Sequence, residues 1–282
     1  MENNSEKINP VCSICGAKDT RFWFEKNSFN LYKCGECGLI FTESVSDVSE
    51  IYSEDYFSGA KNGFGYVDYD KDKQAMAGTF EFYLDKIKEF SADGRNLLDV
   101  GTATGYFLEI AKRRNWNAMG LEISPFASEK ARAKGLNVVT GTLENLSVPD
   151  EYFDIITFWD VIEHFSNPKS QLLLAQGMLK KGGLIAINTP DAGSFIAKML
   201  GKHWHLLVPP EHLIIFNQKN LKMLLKSCGF DVLWNGKVGK KFTLQYAIQV
   251  FSNKLKLKPF AQVAEFFKNN ALGKINIPIN LK

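Results

Sequence analysis

Four cysteines near the amino terminus and four histidines in the second half are the residues whose types and spacing could do chemistry. Cys12-Ser-Ile-Cys15 and Cys34-Gly-Glu-Cys37 make a C-x2-C-x18-C-x2-C pattern. Each pair forms a tight knuckle that points two thiolates at one tetrahedral ion. Gly16 and Gly38, directly after the pairs, permit the turns that aim amides at the sulfurs. Four thiolates close the shell of a zinc ion, so the ion expected here holds structure and activates no water. The competing readings are a redox dithiol and a chance pairing. The spacer, residues 21–33 with Phe22, Trp23, Phe24 and Tyr32, suits a short antiparallel ribbon. Cys228 stands apart, at a helical apolar position, and reads as buried core.

The histidines, His164, His203, His205 and His212, all fall between residues 164 and 212. Histidine exchanges protons near neutral pH and ligates metals, so this window is where acid–base or metal chemistry is expected.

The elements that must position these groups alternate short apolar runs with helical patterns from residue 96 onward, the mark of a parallel sheet flanked by helices. Residues 97–100 read as a first strand, then Gly101-Thr102-Ala103-Thr104-Gly105, then a helix with Phe107, Leu108, Ile110 and Ala111 on its apolar face. A second strand spans 118–122. Ser124 caps the next helix, Pro125 takes its first position and Gly135 ends it. Further strands fit 137–140, 153–158 and 184–188, with a helix opened by Asn167-Pro168 between the last two. Leu221, Leu224, Leu225 and Cys228 repeat at i, i+3, i+4, i+7 before Gly229 and the run 231–234. The fold class is α/β: a doubly wound, Rossmann-like sheet with its ligand at the carboxyl ends of the strands.

A glycine loop after a first strand could serve NAD, S-adenosylmethionine (SAM) or a tight turn, and alone it is a weak signal. Its surroundings discriminate. Asp99 would repel a pyrophosphate but suits the cationic amino group of methionine. Glu122 closes the second strand 23 residues later, where a carboxylate can accept both ribose hydroxyls. The loop holds no lysine for phosphates, which argues against a P-loop.

Leu-Leu-Asp-Val-Gly-Thr-Ala-Thr-Gly, Gly-Leu-Glu-Ile-Ser and Phe-Asp-Ile-Ile-Thr-Phe-Trp-Asp-Val-Ile-Glu-His resemble, in order and spacing, the motifs of class I SAM-dependent methyltransferases. Trp204-His-Leu-Leu-Val-Pro-Pro-Glu-His212-Leu-Ile-Ile-Phe is similar to a branch that methylates sugars and other small molecules. That branch often carries the same cysteine module and a Tyr-x-x-x-Tyr-Phe segment similar to Tyr52–Phe57. The resemblance covers roughly residues 12–235. It implies that Asp99, Gly101, Thr102, Ala103 and Gly105 surround the methionyl part and that Glu122 holds the ribose. It further implies that Ile123 packs on adenine, that Thr142 and Leu143 flank the adenine amino group, and that Phe158 to Asp160 line the methionyl moiety. Ala103 replaces a common glycine, and Thr142-Leu143 stands where many relatives have aspartate.

In-line displacement at a sulfonium draws much of its rate from positioning, which leaves removal of the acceptor's proton to a general base. His212 is the leading candidate, with Glu211 beside it to orient the imidazole or balance its charge. The plainer reading is a structural histidine packed on Pro209-Pro210. His164 either shapes the pocket or caps the fourth-strand loop, and His203 and His205 flank Trp204 in a lid. A second arrangement uses the same residues. Asp160, Glu163 and His164, spaced i, i+3, i+4, with His212 completing the set, look like the divalent-metal ligands of small-RNA 2′-O-methyltransferases and of quinone-pathway O-methyltransferases.

Four segments are expected: a zinc ribbon (1–45), a helical linker or lid (46–95), a SAM-binding core (96–235) and a C-terminal stretch (236–282). In that last stretch, helical patterns at 244–251 and 260–267 would insert a hairpin, as a pocket wall or a dimer contact, before a last strand at 274–281. That strand ends abruptly, as in a shortened form of a longer chain. The net charge of +3 is too small to favour nucleic acid or an anionic membrane, and no apolar run suits a membrane span or a leader. The expectation is a cytoplasmic enzyme, monomer or homodimer, that O-methylates a sugar or nucleotide-linked sugar. Its rivals are an RNA- or quinone-type O-methyltransferase and a non-catalytic zinc-ribbon interaction protein.

Overall fold

The computed structural model describes residues 9–42, 49–58, 69–74, 76–91, 94–236, 238, 240–243 and 276–279. In chain order the elements begin with β1 (Thr20–Lys26), β2 (Phe29–Cys34), β3 (Ile40–Thr42), α1 (Glu54–Ser58), α2 (Tyr69–Gln74) and α3 (Ala77–Phe90). The centre of the chain holds β4 (Asn96–Val100), α4 (Tyr106–Arg113), β5 (Asn117–Glu122), α5 (Pro125–Ala133), β6 (Asn137–Thr140) and β7 (Phe153–Trp159). There follow α6 (Pro168–Met178), β8 (Leu179–Asn188), α7 (Phe195–Leu200), β9 (Ile214–Ile215) and α8 (Gln218–Ser227), then β10 (Lys240–Thr243) and β11 (Asn276–Ile279).

Five strands form one sheet in the order β6-β5-β4-β7-β8, with the parallel pairing expected of a Rossmann-like methyltransferase core. Leu97, Leu98, Ile155, Ile156 and Phe158 are wholly buried. Near-continuous apolar runs of this kind are what a parallel sheet covered on both faces requires. β8 starts five residues before the predicted strand, and its register on β7 shifts between Phe153 and Ile155. The charged and glycine-rich start, Lys180-Lys181-Gly182-Gly183, hid that extension in the sequence; Gly182 takes φ 75 there.

Two compact units divide the chain: residues 1–48 with 147–235, and residues 49–146 with 236–282. In the first, the ribbon forms as the spacer predicts. β1 and β2 pair antiparallel around Asn27 and Ser28, whose φ values of 50 and 65 make the two-residue reversal that suits twisted strands. The sheet then continues β2-β3-β9, so the ribbon shares a sheet with a strand far along the chain. Leu31, Ile40, Ala197, Trp204, Leu207 and Ile215 form the apolar cluster of that unit. Trp204 therefore sits in the core and is not a lid tip. Residues 231–236 are irregular, and Val232, Leu233 and Trp234 are exposed.

In the second unit, β4, β5 and β6 carry α4 and α5, with Ser124 capping α5 and Pro125 opening it. α1 places Phe57 against Ala103 and Ala127, with Tyr52, Tyr56 and Phe126 around them. The Tyr-x-x-x-Tyr-Phe segment therefore packs on the glycine loop. α2 is tied to the same loop: the Thr104 hydroxyl donates to Asp70, which also pairs with Lys134 at 2.8 Å. β10 and β11 pair antiparallel, and β11 falls within the predicted last strand. The helical hairpin expected at 244–267 lies outside the described residues.

Candidate active site

The glycine loop and the end of β5 form one group of candidate residues, within the second unit. Gly101 and Gly105 both have positive φ, and the Gly101 and Thr102 amides donate to the Leu121 carbonyl. Gly105 has φ 83, which disfavours any side chain, and a Cβ there would also press on Leu136 and Ala131. Ala103 also has positive φ, 52, so this position carries a strain of order 1 kcal/mol that glycine would relieve. What holds it is Glu122: one carboxylate oxygen accepts the Ala103 amide at 2.7 Å and the other accepts the Ser124 amide at 2.9 Å. Glu122 is 4% exposed and Asp99, one strand over on β4, 2%.

Burial pushes the Glu122 pKa above the ordinary carboxylate value, against the amides of Ser124, Ala103 and Ile123, which favour the charge. A raised folded-state value means that the native protein binds this proton more tightly than the unfolded chain does. The resulting stabilisation is complete below the unfolded value of 4.5 and is lost as pH rises through the raised value. Wild type should therefore gain stability relative to Glu122→Gln as pH is lowered toward 4.5, measured by denaturant unfolding at several pH values without cofactor. A pH-independent difference would remove this account of Glu122.

The donor set suits SAM. Asp99 places a buried carboxyl group just before the glycine loop, a group of the kind that accepts from an ammonium. A carboxylate offers about four acceptor positions, so Glu122 retains capacity for ribose hydroxyl after serving the loop. Ile123 and Thr142 are partly exposed after β5 and β6, while the Leu143 side chain is buried.

A second group of candidate residues lies in the first unit, on the histidine loop and at the end of β7. Glu163, His164 and His212 come together, with their ligand atoms within 4.8 Å of one another. The two imidazoles meet edge to face, centroids 4.9 Å apart. His212 is 9% exposed, and its Nδ1 lies 2.7 Å from the Leu206 carbonyl. A carbonyl oxygen only accepts, so that contact places a proton on Nδ1, the orientation in which Nε2 is the nitrogen that could act as a base. The expected Glu211 is partly exposed beside it, and its charge and carbonyl act on His164. Burial lowers the His164 pKa, opposed by Glu211 and Asp160; its Nε2 lies 3.0 Å from the Asp160 carbonyl.

Asp160 stands outside the cluster: its carboxylate accepts from Asn188 Nδ2 at 2.6 Å, and its φ is 56. A left-handed non-glycine residue at a strand end is a strained feature of the kind functional sites retain. Phe158 is fully buried near the end of β7. His203 is exposed and His205 partly so; neither is in the cluster. The residue sequence reasoning undervalued is Glu163, 0% exposed, which accepts from the Thr189 hydroxyl at 2.8 Å.

The four cysteines also converge, with all sulfurs within 4.8 Å. Cys12 Sγ lies 3.7 Å from Cys37 Sγ, and Cys15 Sγ 3.5 Å from Cys34 Sγ. A tetrahedral zinc with bonds of about 2.3 Å has sulfur–sulfur edges of roughly 3.8 Å. The knuckles match each other, with Gly16 and Gly38 at φ 73 and 72 donating to the Cys12 and Cys34 carbonyls.

The parallel sheet, the glycine loop and the acidic strand ends define a SAM-dependent class I methyltransferase domain. The chain belongs to the methyltransferase domain family, whose match spans residues 75–234. An uncharacterized protein of Methanocaldococcus jannaschii is 33% identical over 47% of this chain and 62% of its own. A ubiquinone biosynthesis O-methyltransferase of Cereibacter sphaeroides is 29% identical over 44% of this chain and 53% of its own. This chain thus spans little more than half the length of those curated relatives. The YcgJ protein of Bacillus subtilis shares the fold, with a TM-score of 0.50 and 18% identity over 69% of this chain and 85% of that one. Among the described residues, no helix is long and apolar enough to cross a membrane.

Proposed function

We propose that this protein methylates a hydroxyl of a small molecule from SAM, with His212 as general base. Bound SAM supplies a methyl group on a cationic sulfonium. Asp99 and the glycine loop hold the methionyl end, and Glu122, while bracing Ala103, holds the ribose. Ile123, Thr142 and Leu143 frame the adenine. His212 Nε2 takes the acceptor's proton, because Nδ1–H is committed to the Leu206 carbonyl. The 2.7 Å contact between Nδ1 and the Leu206 carbonyl is the observation that carries the assignment. Glu211 and His164 shape the surroundings of the base.

The acceptor we propose is a sugar or nucleotide-linked sugar, on the resemblance carried by residues 204–216. The name of the C. sphaeroides relative supports transfer to oxygen and makes quinone precursors the chief alternative. A second reading uses Glu163, His164 and His212 to hold a divalent ion that binds the acceptor hydroxyl and lowers its pKa. We further propose zinc at Cys12, Cys15, Cys34 and Cys37, in a cytoplasmic protein whose reducing compartment keeps these thiols free. Labelled SAM should transfer its methyl group to a member of a panel of sugars, nucleotide-sugars, quinone precursors and RNA. Transfer that survives mild chelation sparing the cysteine site supports the metal-free base; loss restored by Mg2+ supports the ion. Failure to bind SAM or its demethylated product would overturn both readings.

A further inference from the structure

The ribbon grips the segment that carries His212 at both ends. At the hairpin turn, Asn27 Nδ2 donates to the Pro209 carbonyl at 2.8 Å, across 182 positions of sequence. In the middle, the Thr42 amide donates to the Leu213 carbonyl at 2.9 Å, and β3 pairs with β9, which begins two residues after His212. At the far end, the Cys37 carbonyl accepts from Asn217 Nδ2 at 3.0 Å and Asn220 Nδ2 at 3.4 Å. Those two asparagines cap α8 reciprocally, and Lys219 Nζ donates to the neighbouring Glu36 carbonyl at 2.8 Å.

A structural zinc needs none of this to fold a ribbon. Leu31 and Ile40 pack the ribbon on Trp204, Leu207 and Ile215, and to this non-directional contact the turn, the last strand and the second knuckle add directional bonds that all converge on residues 209–220. His212 lies between the first two grips: the Glu211 and His212 amides both turn back to the Val208 carbonyl, and the Leu213 amide reaches the Glu163 carbonyl. Loop segments that carry functional side chains are ordinarily the least constrained part of a fold.

We infer that the four-cysteine module is a clasp that sets the position of His212, with Asn27, Asn217 and Asn220 as positioning residues. The inference rests on the proposed role of His212 for its functional meaning, but the clasp itself is tested without turnover. Asn27→Gly is the informative variant. Its φ of 50 suits glycine, so the hairpin turn survives while the bond to Pro209 is lost. Amide hydrogen exchange over residues 206–216 should rise about tenfold in Asn27→Gly, the ratio that loss of one hydrogen bond implies. It should rise far more when the metal is stripped from the whole protein. An Nδ1–H proton of His212 held on the Leu206 carbonyl should give a protected resonance in the wild type and a weaker one in both cases. Exchange over residues 96–124 and the calorimetric affinity for S-adenosylhomocysteine should stay within a factor of about two in Asn27→Gly, since no residue of the clasp belongs to that unit. Unchanged protection of 206–216 in Asn27→Gly overturns the clasp, as does an equal rise over 96–124. If the clasp results hold while His212→Ala retains turnover, the catalytic assignment fails and the clasp stands.

Discussion

His212→Ala should bind S-adenosylhomocysteine as wild type does and lose turnover by roughly two to four orders of magnitude, the range a positioned general base supplies. The separation follows from placement. Asp99, Gly101–Gly105 and Glu122 belong to one compact unit, and His212 to the other. Alanine at 212 removes the Nε2 lone pair and the Nδ1–H bond to Leu206 at 2.7 Å, yet leaves every hydrogen bond of the glycine loop in place. The check is paired: calorimetry for the cofactor product, and labelled-methyl transfer to whichever acceptor the panel identifies. Retained turnover excludes His212 as the base. Loss of both binding and turnover would mean that the histidine loop supports the cofactor, and the division of labour proposed here would fall.

The parts of this site that were legible in the sequence are those governed by local rules. β4, β5 and β6 lie within one residue of their expected bounds, because a buried parallel strand must be apolar and its flanking turns must carry glycine or a cap. The cysteine cluster was readable for the same reason, since each knuckle is closed within four residues. What escaped notice depends on contacts across the chain. Nothing near Asn27 announces Pro209, and nothing near Cys37 announces Asn217, although the Asn217–Asn220 reciprocal cap is itself a local pattern. Trp204 was misread because a tryptophan between two histidines looks like a lid, whereas the ribbon supplies the apolar surface that buries it. The Asp160-to-His164 spacing assumed a regular helical face. Instead Asp160 takes a left-handed conformation and turns its carboxylate to Asn188, which leaves Glu163 to join the histidines.

The second large effect is expected at Glu122. Because Ala103 stands at φ 52 without glycine's freedom, the loop conformation depends on the carboxylate that accepts its amide. In Glu122→Gln only one of the two terminal atoms is an acceptor, so either the Ala103 or the Ser124 amide faces an NH2 group. A buried donor left without an acceptor costs about 1–3 kcal/mol. The loop should therefore loosen at the point where it must meet the methionyl group, and the ribose hydroxyls lose a charged acceptor in the same step. Two losses of about 1.4 kcal/mol each correspond to roughly a hundredfold weaker S-adenosylhomocysteine binding. Calorimetry of the variant reads that number, and a thermal melt without cofactor should fall by several degrees. The pattern is the inverse of His212→Ala: binding is lost first, and turnover follows only through it. Restoring glycine in the double variant Ala103→Gly/Glu122→Gln separates the two contributions, since it relieves the strained φ but cannot replace the ribose acceptor. Melting temperature should recover in part while affinity stays low. Affinity within threefold of wild type in Glu122→Gln would show that the ribose is held elsewhere, and the cofactor assignment of this strand end would have to be withdrawn.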